Sequence, residues 1–315
     1  MRQQFDTEFD FLGFNTALVS EYCSERTVIG FDPSYIPKSG KKTCGTGKYW
    51  SGCAGAPKWG LEISGIAAID LDNHTAMHLE AVQTLPNEGE SLLDFYANVL
   101  VSRKNDLQKT SHTIVSDAYF SKEPFVSKIC NADFNLVSRL RDDARLTYLI
   151  ESKPTGKKGR PKTVGGKVDT KNLDLNYFTE ILVLCTKYEV KSENADEKIY
   201  TAIVKSVSLK RNVRVVVVQK IKNRKVVGAK IYFSTDIKMS AAEILEIYST
   251  RFQIEFLYRD AKQHTGLANC QARIERNCIF TAICRSLPSL LPKRFIGYQP
   301  QKRNEKHSLW QMSKQ

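Results

Sequence analysis

The alternation of apolar and polar positions divides the first half of the chain into short, well-separated runs. Thr27–Asp32 (TVIGFD) is an apolar run closing on an acid and predicts a buried strand. A polar, glycine-rich loop follows (PKSGKKTCGTGKYWSGCAGAPKWG). Leu61–Asp70 and His74–Gln83 predict two further strands joined by a turn at Asp72-Asn73. Residues 90–104 (ESLLDFYANVLVSRK) carry helical periodicity. Thr113–Asp117 (TIVSD) predicts another strand ending in an acid, Ser121–Asn131 a helix, and Phe134–Leu140 a fifth strand.

Three strands, a helix, a strand, a helix and a strand resemble the first part of a ribonuclease-H-like α/β domain, a mixed sheet flanked by helices. The pattern then changes. Residues 180–236 supply β-rich runs (ILVLCTKYEV, YTAIVKSVSL, VRVVVVQKI, GAKIYFST) with no long helical stretch between them, which predicts a β-rich insertion before the last helix. That helix starts at Ser240, an N-cap with Glu243 three residues on, and runs to about Gln263. The chain thus reads as an N-terminal remnant (1–26), an α/β domain in two pieces (27–150 and 238–275), a basic loop and β-rich insertion (151–237), and an atypical tail (276–315) interrupted by Pro288, Pro292 and Pro300.

Composition narrows the class. With 315 residues, 42% hydrophobic and 26% charged, and only 10 Pro and 17 Gly, the chain is neither disordered nor low-complexity. No apolar run is long enough to span a membrane, and residues 1–14 carry Asp6, Glu8 and Asp10 where a secretory signal would be basic and apolar. The eight cysteines contain no Cys-x2-Cys pair and read as reduced thiols of a cytoplasmic protein. The net charge of +13 is concentrated: residues 153–171 hold seven basic residues and one acid, and residues 276–315 hold eight and one. Concentrated positive charge points to a polyanion, with nucleic acid the leading candidate and a solvated basic loop the alternative.

Three acids stand where predicted strand ends and the last helix converge: Asp32, Asp117 and Glu255. Carboxylates held close together need a cation, and hard oxygen donors suit Mg²⁺ or Mn²⁺. Two such ions assist phosphodiester hydrolysis. Around Glu255, Tyr248, Arg251 and Lys262 follow spacings of three, four and seven. On one continuous helix at about 100° per residue these four fall at about 0°, −60°, −20° and −40°, a single stripe. Leu245, Ile247, Phe252, Ile254, Phe256 and Leu257 crowd the rest of that helix. A polar stripe on a mostly buried helix implies a polar cavity or an anionic ligand. The alternative is an exposed face stitched by Arg251 and Glu255.

These residues carry a resemblance. YSTRFQIEFLYRDAK, Tyr248 to Lys262, matches the Tyr-x2-Arg-x3-Glu-x6-Lys signature of insertion-sequence DDE transposases at every position. FDPSYIPKSGKKT around Asp32 resembles that family's first-aspartate motif and IVSDAYFSKEPFV around Asp117 its second, over about residues 27–275. The resemblance implies a ribonuclease-H-like catalytic domain in which Asp32, Asp117 and Glu255 hold two divalent ions. Tyr248, Arg251 and Lys262 would orient DNA phosphates. It further implies cleavage at transposon ends, strand transfer into double-stranded target DNA, a homodimer in the synaptic complex, no membrane, and a place at the bacterial nucleoid. A host nuclease of the same fold and an inactive, DNA-binding remnant are the rival readings.

Weaker signals accompany these. Lys157, Lys158, Arg160 and Lys162 lie in the basic loop, where Gly159-Arg160-Pro161-Lys162 resembles an AT-hook core, a minor-groove binder. Lys38, Lys41, Lys42 and Lys48, with Tyr49 and Trp50, are candidate DNA contacts or plain surface charge beside a packed aromatic edge. His74 and His78 read as ordinary surface histidines. The family pattern also departs at both ends: only 31 residues precede Asp32, and the stretch from Arg276 does not continue it. We therefore expect a shifted reading frame near residues 275–280. Sequencing the locus tests this: family-like sequence should continue in another frame, and its absence would remove the idea.

Overall fold

The computed structural model describes residues 9–40, 42–150, 164–181 and 197–269. In chain order the elements are α1 (Phe11–Tyr22), β1 (Thr27–Pro37), β2 (Gly47–Ser51), β3 (Ala56–Asp70), β4 (Thr75–Gln83), α2 (Leu92–Val101), α3 (Lys104–Thr110) and β5 (Thr113–Val115). Then follow α4 (Glu123–Asn131), β6 (Asn135–Leu140), β7 (Leu146–Leu149), β8 (Val164–Lys167), β9 (Thr179–Glu180), β10 (Glu197–Ser206), β11 (Arg211–Lys222), β12 (Lys225–Ser234), α5 (Ala241–Thr250) and α6 (Phe252–His264). Among the described residues these elements form two compact units, one of residues 9–25, 31–89 and 253–269, the other of 26–30 and 90–252.

In the first unit, β3 pairs with β2 and β4 and neighbours β1. Residues 60–70 of β3 are buried throughout, which suits a central strand covered on both faces. The turn to β4 is built by the carboxylate of Asp70, which accepts hydrogen bonds from the backbone N–H groups of Ser24, Asp72 and Asn73 and from the side chains of Ser24 and Asn73. Helix α1 is capped by Asp10, which accepts from the Gly13 N–H, and is fixed to β4 by a 2.8 Å bond from the buried Asn15 side chain to Leu79 O. Helix α6 buries Ile254, Leu257, Tyr258 and Ala261, the i, i+3, i+4, i+7 spacing of a core-facing stripe. They pack on Ile36, Leu61, Ile63, Ala67 and Ala81.

In the second unit, β1 and β5 pair in parallel (Ile29 with Ile114), as do β5 and β6 (Ile114 with Leu136). The β5–β6 crossover passes through α4, which buries Phe125, Val126 and Ile129. Beyond β6 the sheet continues antiparallel through β12, β11, β10, β7 and β8. Val215, Val216 and Val217 of β11 are fully buried. Ser240 caps α5 as its sequence predicts, its hydroxyl accepting from the Glu243 N–H at 3.2 Å. The protein is thus mixed α/β, a large mixed sheet with helices against it, consistent with a ribonuclease-H-like fold.

Four expectations need correction. The glycine-rich stretch after Asp32 is not all loop: β1 runs on to Pro37, and β2 forms a hairpin with the start of β3. The helix expected over residues 90–104 is two helices, parted at Ser102 and Arg103. The helix expected from Ser240 to Gln263 is also two, α5 and α6, with Arg251 between them in α-helical backbone. His78 is no surface histidine but fully buried, because a bulge at Leu79 of β4, opposite Ile66 and Ala67, interrupts the alternation and Met77, His78 and Leu79 are buried in succession. Most of the predicted strand at 181–190 lies outside the described residues, as do residues 151–163 and 270–315.

Candidate active site

Within the first unit, the half-buried Asp32 stands two residues before Ser34 and four before Ile36. Side chains alternate along a strand, so all three share a face. Ile36 packs on α6, and Ser34 Oγ accepts a 2.8 Å hydrogen bond from Lys262 Nζ, so this is the face that α6 covers. Glu255 and Lys262 lie seven residues apart on that helix and point the same way. Burial pushes the Lys262 ammonium below its ordinary pKa, while Cys53 in the β2–β3 turn and Asp32 pull it back up. The first unit therefore holds three of the sequence-predicted residues: Asp32 and Lys262 are electrostatic neighbours, and Glu255 lies on the same helix as Lys262.

Tyr258 fixes that contact. Its ring lies over Gly65 so closely that a Cβ there would stand 2.3 Å away. Its hydroxyl shares a 3.2 Å hydrogen bond with His78 Nδ1. Burial first, then the charges of Asp32 and Glu80, drive the Tyr258 phenol far above its usual pKa, so it stays protonated. His78 Nε2 has no hydrogen-bond partner among the described residues. Either the phenol donates to Nδ1 or the Nδ1–H donates to the phenol oxygen, according to the tautomer.

The second unit gathers the other three. Asp117 follows β5, and its carboxylate accepts from the Tyr119 N–H at 2.9 Å, opening a short 3-10 turn at Ala118–Phe120. Ser138 Oγ donates to Asp117 O at 2.8 Å, tying the acid to β6. Tyr248 is held above its ordinary pKa by burial, and its charged neighbours are Arg251, Asp117 and Arg139. The guanidinium of Arg251 lies 5.8 Å from the Tyr248 ring and 4.3 Å from that of Phe252. Arg251 is only 7% exposed, which excludes the reading of an exposed face stitched by surface charges.

Sequence reasoning missed Ser34, Tyr258, His78, Arg139 and Tyr232. Tyr232 stands opposite Arg139 in the β12–β6 pair and packs on Tyr248 at 4.9 Å, and burial first raises its phenol to about 12. Only Tyr258, three residues after Glu255 on the same helix, left a trace in the sequence. Lys157, Lys158, Arg160 and Lys162 lie outside the described residues.

The donor set bears on metal binding. Asp32, Asp117 and Glu255 offer only carboxylate oxygens and are half-buried, a set that fits a hard divalent ion. Among the described residues no three His, Cys, Asp or Glu side chains stand together as a ready cage. The acids are divided instead, Asp32 and Glu255 in one unit and Asp117 in the other.

The sequence model of a family described as "Transposase DDE domain" matches residues 32–287, from Asp32 through Asp117 and Glu255 and into the stretch beyond residue 275. Comparison with curated proteins gives no match.

The buried histidine sets a pH dependence. Its desolvated ring titrates near 3 in the folded chain, against about 6.5 when unfolded. Between those values the unfolded chain binds the extra proton, so stability falls as pH drops below about 6.5, by up to about 1.4 kcal/mol per pH unit. NMR of the His78 ring should show a neutral imidazole from about pH 8 down to about pH 5. A titration midpoint near the unperturbed value would contradict the burial.

Proposed function

The chain belongs to the transposase DDE-domain family, and from that premise we propose that it cuts DNA at the ends of a mobile element and joins the freed 3′ ends to a target duplex. The observation that carries this reading is the placement of Lys262 beside Asp32, anchored by its bond to Ser34, on the same helix as Glu255. In this reading Asp32, Asp117 and Glu255 hold two divalent ions, Mg²⁺ or Mn²⁺. Bound there, the ions supply charge neutralisation at the attacking and leaving oxygens of an in-line displacement.

The chain's own groups do the rest. Lys262, desolvated and anchored on Ser34, sets a fixed positive charge beside Asp32 for a phosphate oxygen. Arg251, clamped between Tyr248 and Phe252, keeps its planar donors in one orientation, which favours a phosphate over a mobile counterion. Tyr248 stays protonated and can donate to a phosphate oxygen. A duplex partner also suits the β11–β12 ribbon, where Lys222 and Lys225 stand directly opposite in register with Lys220 and Arg224 close by. Like charges facing across a ribbon repel unless a polyanion lies on them. No helix among the described residues is long and apolar enough to cross a membrane.

The test is a nicking assay on DNA carrying the element's ends. Wild-type protein should nick only with Mg²⁺ or Mn²⁺ present. Asp117→Asn should lose roughly 10²–10³-fold, the scale of removing one charge-stabilising group, while still binding the DNA. Equal nicking by both proteins would reject the assigned chemistry. Binding without nicking by the wild type would return the reading of an inactive remnant. Inverted repeats beside the gene separate a transposase from a host nuclease.

A further inference from the structure

One face of the β2–β3 hairpin is exposed among the described residues. The register sets Lys48 opposite Trp59 and Trp50 opposite Pro57, and alternation along each strand puts all four side chains on the same side. All four are exposed; Trp50 and Trp59, at 63% and 42%, present two indoles to solvent on one ribbon. Exposed aromatics grouped in this way mark a binding surface more often than a defect of packing.

The ribbon is held rigidly for the purpose. On its other face the Tyr49 hydroxyl lies 3.0 Å from Gly45 O and 3.3 Å from Thr84 O. The Trp59 indole N–H donates to Gly40 O at 3.1 Å, and the Tyr35 hydroxyl donates to Trp59 O at 2.6 Å. A ring held like that of Trp59 loses little freedom on binding a flat partner. Charge narrows that partner: residues 33–60 contain Lys38, Lys41, Lys42, Lys48 and Lys58 and no acid at all. The turn of the same hairpin carries Cys53, an electrostatic neighbour of Lys262.

Two exposed indoles with a lysine between them match the chemistry of nucleobases on a phosphate backbone. In an intact duplex the faces of the bases are covered by their neighbours, whereas unpaired bases offer theirs. We propose that the Lys48–Trp50–Pro57–Trp59 face is a stacking platform for unpaired nucleotides, which receives a separated stretch of DNA strand beside the catalytic residues of the first unit. This rests on the reading that the chain acts on DNA, and it adds a preference for locally opened substrate.

The chain has three tryptophans, at 50, 59 and 310, so a Trp310→Phe background leaves only the ribbon to report by fluorescence. In that full-length background, a short single strand and a forked duplex of the same sequence should quench the emission, and the blunt duplex far less. Replacing Trp50 and Trp59 together by Ala should weaken forked DNA by about 5- to 100-fold, the usual range for lost base stacking, measured by anisotropy of labelled DNA. Blunt-duplex affinity should hold. Replacing both by Phe should restore most of the forked binding, which separates stacking from a folding defect. Unchanged affinity for forked DNA in the Ala variant would overturn the proposal. So would a self-association that disappears with the two indoles, since the face would then be covered by a second copy. A chain that binds none of the three DNAs fails at the transposase reading instead, and the two failures are distinct.

Discussion

One buried ring determines where the chemistry of the first unit points. Tyr258 occupies the gap left by the absent side chain of Gly65 and ends on the buried His78. A ring of this size removes on the order of 150–250 Å² from water, and its close approach to Gly65 ties it to this rotation of α6. A turn of the helix by one residue, about 100°, would swing Glu255 and Lys262 off the face of Asp32 and Ser34. Glycine, histidine and tyrosine in three separate elements thus fix the azimuth of two charged groups. None of the three is itself an acid or base at neutral pH, since the histidine is held neutral and the phenol protonated.

Both units keep a cation in a place that disfavours it. Lys262 is desolvated but anchored on Ser34 with Asp32 nearby, and Arg251 is buried against two aromatic rings beside Tyr248, itself an electrostatic neighbour of Asp117. Burying a charge costs several kcal/mol unless an opposite charge or well-aimed dipoles compensate it. A protein selected for stability alone would place these cations in water. Holding them beside carboxylates gives each unit a local arrangement of both signs, which suits a substrate that brings its own negative charge and, in the proposed chemistry, divalent ions.

Much of this was legible in the sequence, and the exceptions have physical causes. The runs around Asp32, Asp117 and the β3–β4 turn predict their strands because apolar alternation there is uninterrupted. The end of β1 was hidden because Pro33, Ser34 and Pro37 break the alternation, and the reason Ser34 is buried is a tertiary contact from Lys262. The break at Arg251 carries no proline or glycine to announce it. It separates α5, which packs on the second unit's strands, from α6, which packs on the first unit's core. His78 misled for a related reason: a two-residue alternation assumes one wet face, and β4 has none along Met77–Leu79. The Tyr248–Lys262 spacing carries the family resemblance, although the helix it predicts is divided at Arg251.

The proposed function requires Asp32, Asp117 and Glu255 to hold the same pair of divalent ions. Replacing Mg²⁺ by Fe²⁺ and generating hydroxyl radicals at the bound metal cuts the backbone beside it, and mapping the cuts by mass spectrometry reads the claim directly. Cuts should appear in all three segments, around residues 32, 117 and 255, all suppressed by excess Mg²⁺ and by Asp117→Asn. Cuts that spare one of the three segments, or that persist unchanged in the variant, would contradict it.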